Sequence, residues 1–241
     1  MEVESTAVSL GQFGGLRCLL LHDTELSSYS TQDFDYLSRV LNIDFRSYTD
    51  EFSIGEYDVV GLLNPTEQLF RSEEFERSQC LKICFLNSES PIRARVKGAD
   101  ATVICRNDTK HSMTEVSVIR SFFESLTVPS LLNIDLADVR SIAKGIGIAF
   151  CKSGDSSQEI VDILPRECFV ARSALLHYSC AKDVLLNEIY EITKAISVKQ
   201  PDGGKRENRR PPNMKMGLRV LDSTDQQGGK RIRLTAILFG I

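Results

Sequence analysis

No apolar run in the 241 residues reaches the ~18 needed to cross a bilayer as a helix. The first ten residues lack the basic start and apolar centre of a secretory signal. There is no excess of positive charge: 29 Lys and Arg stand against 33 Asp and Glu, a net charge of −4, so bulk charge does not point to nucleic acid. No pair among the seven cysteines has C-x-x-C spacing, and their number is odd. Cys18, Cys84, Cys105 and Cys168 sit inside apolar runs, which suits reduced core residues in a cytosol-like compartment. Cys80 and Cys84 with a histidine would make an incomplete zinc site, lacking a second ligand pair, so no metal is expected. His22, His111 and His177 are scattered, with no serine or cysteine at a readable nucleophile turn, and read as surface or capping residues.

What is present is an alternation of short apolar runs and helical patterns. Leu16–Leu21, Tyr57–Leu63, Leu81–Leu86 and Ala101–Cys105 read as buried parallel strands. Thr31–Leu41 and the more polar Thr66–Ser78 read as helices between them. Strands alternating with helices imply a parallel sheet with right-handed crossovers. A longer helix follows over 113–126, with Val116, Ile119, Phe122, Phe123 and Leu126 on one face and Ser112 and Glu115 as an S-x-x-E start signal. A second helical pattern covers Asp138–Phe150 through Val139, Ile142, Ala143, Ile146 and Ala149, so Gly145 and Gly147 read as helix glycines that permit close packing. Ser156–Leu164 reads as a short helix, Cys168–His177 as a strand and Asp183–Ser197 as a helix. Met216–Leu221 and Ile232–Phe239 flank Gln227-Gly228-Gly229 and read as a hairpin-like pair. The fold class expected is α/β: a reduced Rossmann-like parallel-sheet domain over 14–112, a central helix over 113–127, and a smaller α+β domain over 128–241. Residues 1–13 read as a flexible tail. Residues 199–213, with five basic residues against two acidic, read as a flexible basic loop, either solvated or facing an acidic partner or lipid head groups.

The chain is organised around one stretch between the two helical patterns, Val128-Pro129-Ser130-Leu131-Leu132-Asn133-Ile134-Asp135-Leu136-Ala137-Asp138-Val139-Arg140. Its polar residues fall in the order N-x-D-x-x-D. Asp135 suits an N-cap and Asp138 the first turn of the following helix, where an acidic side chain complements the helix dipole. Capping and chemistry are compatible, and both stay open for these residues.

The wording of this stretch closely resembles the segment in the cell-division protein FtsZ that joins the central helix to the C-terminal domain. In that family the segment projects from the bottom of one subunit into the nucleotide pocket of the next, where acidic residues position the water that attacks GTP. The resemblance implies that Asn133, Asp135 and Asp138 act in trans on a neighbouring subunit. Ala99–Asp108 resembles the family's strand ending in proline-Asn-Asp. Ile146–Gly154 resembles its helix end before a glycine-containing turn, and Lys230–Ile241 its last strand. Over 14–98 the likeness is one of topology alone.

The departures fall on the nucleotide side. In FtsZ and tubulin the signature GGGTG[ST]G cradles the phosphates with backbone amides. Here the turn after the first strand reads Leu21-His22-Asp23-Thr24-Glu25-Leu26, and that after the second reads Leu63-Asn64-Pro65-Thr66-Glu67-Gln68. Proline removes an amide, and Glu67 repels phosphate. The segment that reads the guanine has no evident counterpart, and the family's linker and adaptor-binding tail are not expected. The resemblance therefore implies a divergent FtsZ-like protein of the cytoplasm, or of an organelle matrix of bacterial origin. No cofactor is expected, GTP only if the altered turns still accept it, and no autonomous GTPase activity. Its partners are expected to be FtsZ-type or self subunits in a longitudinal filament contact, with no nucleic acid and no transmembrane segment. The function expected is modulation or capping of an FtsZ-type partner's filaments. The alternative is a filament of its own, either GTP-hydrolysing or nucleotide-independent.

Overall fold

The continuous apolar runs become the inner strands of one sheet. The computed structural model describes residues 15–22, 31–48, 53–65, 73–90, 95–106, 115–198, 211–221 and 229–241. Strands β1 (Cys18–His22), β3 (Val59–Leu63), β4 (Leu81–Asn87) and β5 (Ala101–Cys105) lie side by side in parallel. Alternate residues pack on opposite faces, and both faces are covered, which is why these strands read as unbroken apolar segments rather than as alternation. Leu20, Leu63, Ile83, Phe85 and Val103 meet one core, while Leu19, Leu21, Val60, Leu62, Cys84 and Leu86 meet another with Phe75 and Val96.

Helices α1 (Thr31–Arg39) and α3 (Glu115–Thr127) lie over the first of those faces. Phe123 of α3 is fully buried. It approaches β3 at Gly61, where a Cβ would sit 3.1 Å from the Phe123 ring. Glycine at that position lets the central helix rest close against the sheet. Phe122 stacks edge-on to both Phe85 and Phe123, with ring centroids 5.5 and 5.3 Å apart. The helical pattern over 66–78 appears as the short α2 (Glu73–Arg77), while 66–72 lie outside the described residues. So do the tail 1–13, Ser112, residues 199–210 of the basic loop, and the Gln227-Gly228 turn. Five-residue β2 (Ile43–Ser47) forms one edge, paired with β1 in parallel; the sequence reading missed it.

Two expectations are corrected. The helical pattern over 138–150 divides into α4 (Leu136–Ile142) and strand β6 (Gly145–Gly154), parallel to β5. Gly145 takes φ +77°, a left-handed conformation that ends the helix and starts the strand. Ile146 and Ala149 fit a helical period, but the chain after Gly145 pairs through its backbone. Gly147 therefore serves close packing in a sheet rather than in a helix: a Cβ there would lie 2.7 Å from the Phe239 ring and 2.9 Å from the Leu238 carbonyl oxygen. The likeness of 146–154 to a helix end is corrected with it.

The second correction concerns β8 (Asn213–Leu221) and β9 (Ile232–Phe239), which are not a hairpin. Among the described residues the strands run in the order β2-β1-β3-β4-β5-β6-β9-β7-β8, with β7 spanning Ser173–Ala181. β9 is antiparallel to both β6 and β7, and β8 pairs with β7 in parallel on its outer side. Burial explains the swap. β9 is almost wholly buried and takes neighbours on both sides, whereas β8 is half exposed, as an edge strand should be. Helices α5 (Ser157–Asp162) and α6 (Leu186–Val198) cover this end of the sheet, with Ile189, Ile192 and Ile196 of α6 packed on Tyr178, Leu234 and Leu238.

Candidate functional site

The topology fixes where the stretch 128–140 stands. β5 ends at one edge of the sheet, α3 carries the chain back, and β6 starts beside the start of β5, with Ala101 opposite Gly145. Residues 128–140 therefore occupy the edge where the parallel strands begin. Ile134 is the loop's anchor, 3% exposed, and it packs close to Gly217 of β8. The Leu131 amide donates to the Leu218 carbonyl at 2.8 Å, and the Leu218 amide donates to the Leu132 carbonyl at 2.9 Å. The leucine side chains themselves stay out, Leu131 at 61% exposure and Leu132 at 41%.

The three polar positions have distinct local duties. Asn133 Oδ1 accepts the Ser130 amide at 2.8 Å and so closes the loop on itself. Asp135 is the N-cap of α4, its Oδ1 accepting the Asp138 amide at 2.6 Å. Asp138 Oδ1 accepts from Lys215 Nζ of β8 at 2.5 Å. That ammonium, helped by the backbone bond at Asp135 and opposed by slight burial, holds the Asp138 carboxyl below the ordinary carboxylate range. Asp138 is therefore ionised at neutral pH, and both aspartates reach solvent at the edge. Arg140 Nη2 donates to the Gln79 carbonyl at 2.8 Å, tying α4 to the chain before β4. The stretch thus offers two anchored carboxylates and two exposed leucines to anything that docks on this edge.

The opposite edge, where the strands end, is described only in part. Residues 23–30 and 66–72, and Asn107 and Asp108, lie outside the described residues. The turn after β3 is visible as far as Pro65. Asn64 adopts φ 43°, donates its amide to the Phe85 carbonyl at 2.9 Å and accepts the Asn87 amide on Oδ1 at 2.8 Å. Its backbone N–H and side-chain oxygen are thus spent on β4, and Pro65 has no amide to offer.

A buried polar cluster escaped the sequence reading. Glu124 of α3, with its side chain 1% exposed, accepts on Oε1 from Tyr36 Oη at 2.6 Å, Arg120 Nε at 2.9 Å and Arg219 Nη1 at 2.9 Å. The Arg120 guanidinium lies 3.6 Å over the Tyr36 ring. His177 of β7, expected at the surface, is 3% exposed, and neither ring nitrogen has a hydrogen-bond partner among the described residues. Burial pushes its pKa down to about 4, the Glu124 charge opposing and the Arg233 and Arg219 charges assisting. The only readable sequence signal was Arg120 and Glu124 at i,i+4 spacing.

His177 has a pH consequence. It is neutral when folded and takes a proton more readily when unfolded, so its share of stability is complete above the model-peptide value of ~6.5 and is lost as pH falls toward 4. The expected loss between pH 6.5 and 4 is about 3 kcal/mol. Urea midpoints across that range, for wild type beside His177→Leu, measure it. Parallel curves would show that water already reaches the imidazole.

All seven cysteines are buried and free, so the core expectation for Cys18, Cys84, Cys105 and Cys168 holds. Among the described residues no helix is long and apolar enough to cross a membrane.

No family model matches the chain. Cell division protein FtsZ 2 of Thermococcus kodakarensis is 30% identical over 171 residues, covering 66% of this chain and 36% of that protein. Cell division protein FtsZ of Methanothermobacter thermautotrophicus is 29% identical over 135 residues, covering 51% of this chain and 32% of that protein. The chain thus spans about a third of the length of these curated relatives. Among solved structures, a mutant FtsZ from M. jannaschii superposes with a TM-score of 0.62 at 13% identity, over 95% of this chain and 92% of that one. An empty FtsZ dimer from M. jannaschii gives a TM-score of 0.55 at 16% identity, over 78% of this chain and 64% of that one. A sheet of this order beneath a central helix, and these likenesses in sequence and fold, make the chain a divergent member of the FtsZ/tubulin superfamily.

Proposed function

We propose that the chain docks, through the edge carrying residues 131–140, on the nucleotide-loaded top of an FtsZ-type subunit, and that it caps or modulates that partner's filaments. The observation that carries this reading is the contrast between the two edges. At one, Asp135 and Asp138 are anchored and open to solvent, with Leu131 and Leu132 exposed beside them. At the other, Asn64 is bonded to β4 and is followed by proline where the family has a glycine cradle. A subunit of this kind engages the filament with one face and presents no GTP-loaded face to the next subunit. In this reading Asn133 shapes the loop, and Asp135 and Asp138 orient water in the partner's pocket.

Co-sedimentation tests it. At substoichiometric amounts the chain is expected to pellet with GTP-assembled FtsZ 2 from Thermococcus kodakarensis and to change filament length or GTP turnover. No co-pelleting and unchanged turnover at every ratio would sink the proposal. A filament of the chain itself is the second reading, favoured by the FtsZ dimer among the similar structures. Electron microscopy of the pure protein with and without GTP separates the two.

The altered turns also predict that the chain has no preference for guanine. Isothermal titration is expected to give GTP and ATP the same weak or absent affinity. A micromolar Kd for GTP, with ATP tenfold or more weaker, would restore a working nucleotide site and remove the basis for capping.

A further inference from the structure

A cavity of about 610 Å³ opens at the starting edge of the sheet, between the chain leading into β4 and the junction of α4 with β6. Its charged lining is Lys82, Arg95, Arg140, Lys144 and Asp100. Four positive charges therefore face one negative charge. None of the four cations is paired with a carboxylate among the described residues; three are held by backbone carbonyls instead. Lys82, 5% exposed, donates Nζ to the carbonyls of Phe75 and Ser78, each at 2.9 Å. Arg95 donates Nε and Nη2 to the Ala99 carbonyl at 3.1 and 2.9 Å, and Arg140 donates Nη2 to the Gln79 carbonyl at 2.8 Å. Lys144 is exposed. Asp100 Oδ2 is engaged by the Lys82 amide at 2.8 Å.

Carbonyls fix these side chains without neutralising them. Among the described residues the cavity therefore keeps its positive charge, with a desolvated ammonium at its wall and two guanidinium groups that no carboxylate pairs with. We propose that this cavity binds a multiply charged phosphate group, of the diphosphate or triphosphate kind. A single carboxylate would leave most of the charge uncompensated, whereas a phosphate brings up to two negative charges and three acceptor oxygens. Guanidinium forks match phosphate oxygens pairwise. The volume lies within the ~300–1,000 Å³ usual for small-ligand sites. The location separates this site from the nucleotide turns of such sheets, which lie where strands end. The phosphate group comes either from a free oligophosphate or from the nucleotide of a docked subunit; the second source rests on the docking proposed above.

Titration of the full chain with inorganic triphosphate at low salt is the test, on wild type and Lys144→Glu. Lys144 is exposed and forms no side-chain hydrogen bond or ion pair among the described residues, and a thermal melt checks that the variant is intact. Wild type is expected to bind, the variant about tenfold or more weakly, with affinity falling as salt rises. No binding by wild type, or equal binding by the variant, overturns the proposal. GTP binding far tighter than triphosphate and indifferent to Lys144→Glu also overturns it, by placing the phosphates elsewhere. Co-sedimentation with a GTP-loaded FtsZ partner separates the sources: a weaker pellet with Lys144→Glu points to the neighbour's nucleotide, an unchanged one to free ligand. If wild type does not co-sediment at all, docking fails while the triphosphate result stands.

Discussion

Glu124→Ala is expected to cost the fold about 3–5 kcal/mol, enough to unfold a domain of ordinary stability. The carboxylate is nearly inaccessible and accepts from two guanidinium groups and one phenol on a single oxygen. Truncation takes away the carboxylate that Arg120, its side chain 10% exposed, pairs with, and removes one of Arg219's partners. Burying an unpaired cation costs more than the pair contributes, which is why the effect exceeds that of a surface ion pair. Burial by itself would raise the Glu124 carboxyl, but the Arg120 charge, the Tyr36 hydroxyl and the Arg219 charge outweigh it and hold it below its ordinary value. His177 is neutral at pH 7 and adds no pull there. Glu124 therefore contributes fully above the unfolded carboxylate value of ~4.3, and its contribution fades as pH falls through the folded value. Urea unfolding of wild type and Glu124→Ala at pH 7 checks the magnitude. A loss under 1 kcal/mol would mean that the two arginines rotate out to water.

That cluster is also one that local sequence pattern does not carry. Tyr36 and Arg219 meet across 183 positions, and only the fold brings them to one carboxylate. Local pattern was enough for β5, found over the same residues 101–105 as expected, for α3, and for Ile189, Ile192 and Ile196 of α6, which face the core, whereas Leu185, expected in line with them, is exposed before the helix. It failed where one pattern fits two periods. Ile146, Ile148 and Phe150 alternate as well as they spiral, and the left-handed Gly145 decides between them. It failed again where neighbours in sequence are not neighbours in the sheet. β9 leaves β8 and inserts between β6 and β7, a choice made by burial on both sides of the strand rather than by the glycine turn. The candidate site was legible because it is local: Asn133, Asp135 and Asp138 lie within six residues, and the cap expected at Asp135 is the one observed. The lysine that pairs with Asp138 comes from 77 positions away and left no trace in that stretch.

Lys215 sharpens what Asp138→Ala should do. If Asp138 only favours the start of α4, its removal costs about 0.3–1 kcal/mol and leaves any partner untouched. The ion pair adds little to that cost, because both side chains are about one-third exposed and such pairs contribute at most about 1 kcal/mol. If Asp138 orients water in a neighbour's pocket, the melting temperature stays nearly fixed while the partner's GTP turnover in the mixed assembly falls by ~10² or more. A carboxylate held by an ammonium is a weak base at neutral pH, so its part in this reading is to place the water and its charge rather than to abstract a proton early. Lys215→Met should then leave turnover within a few-fold while loosening the side chain. Asp135→Ala is the less clean variant, since losing the cap costs ~1 kcal/mol alongside any effect on turnover. Thermal melts of wild type and Asp138→Ala belong beside GTP turnover of an FtsZ partner with each added, and wild type must first stimulate turnover. Wild type that only inhibits points to capping with the carboxylates out of line. A variant that stimulates as well as wild type returns Asp138 to the helix start and leaves the partner's own residues to place the water.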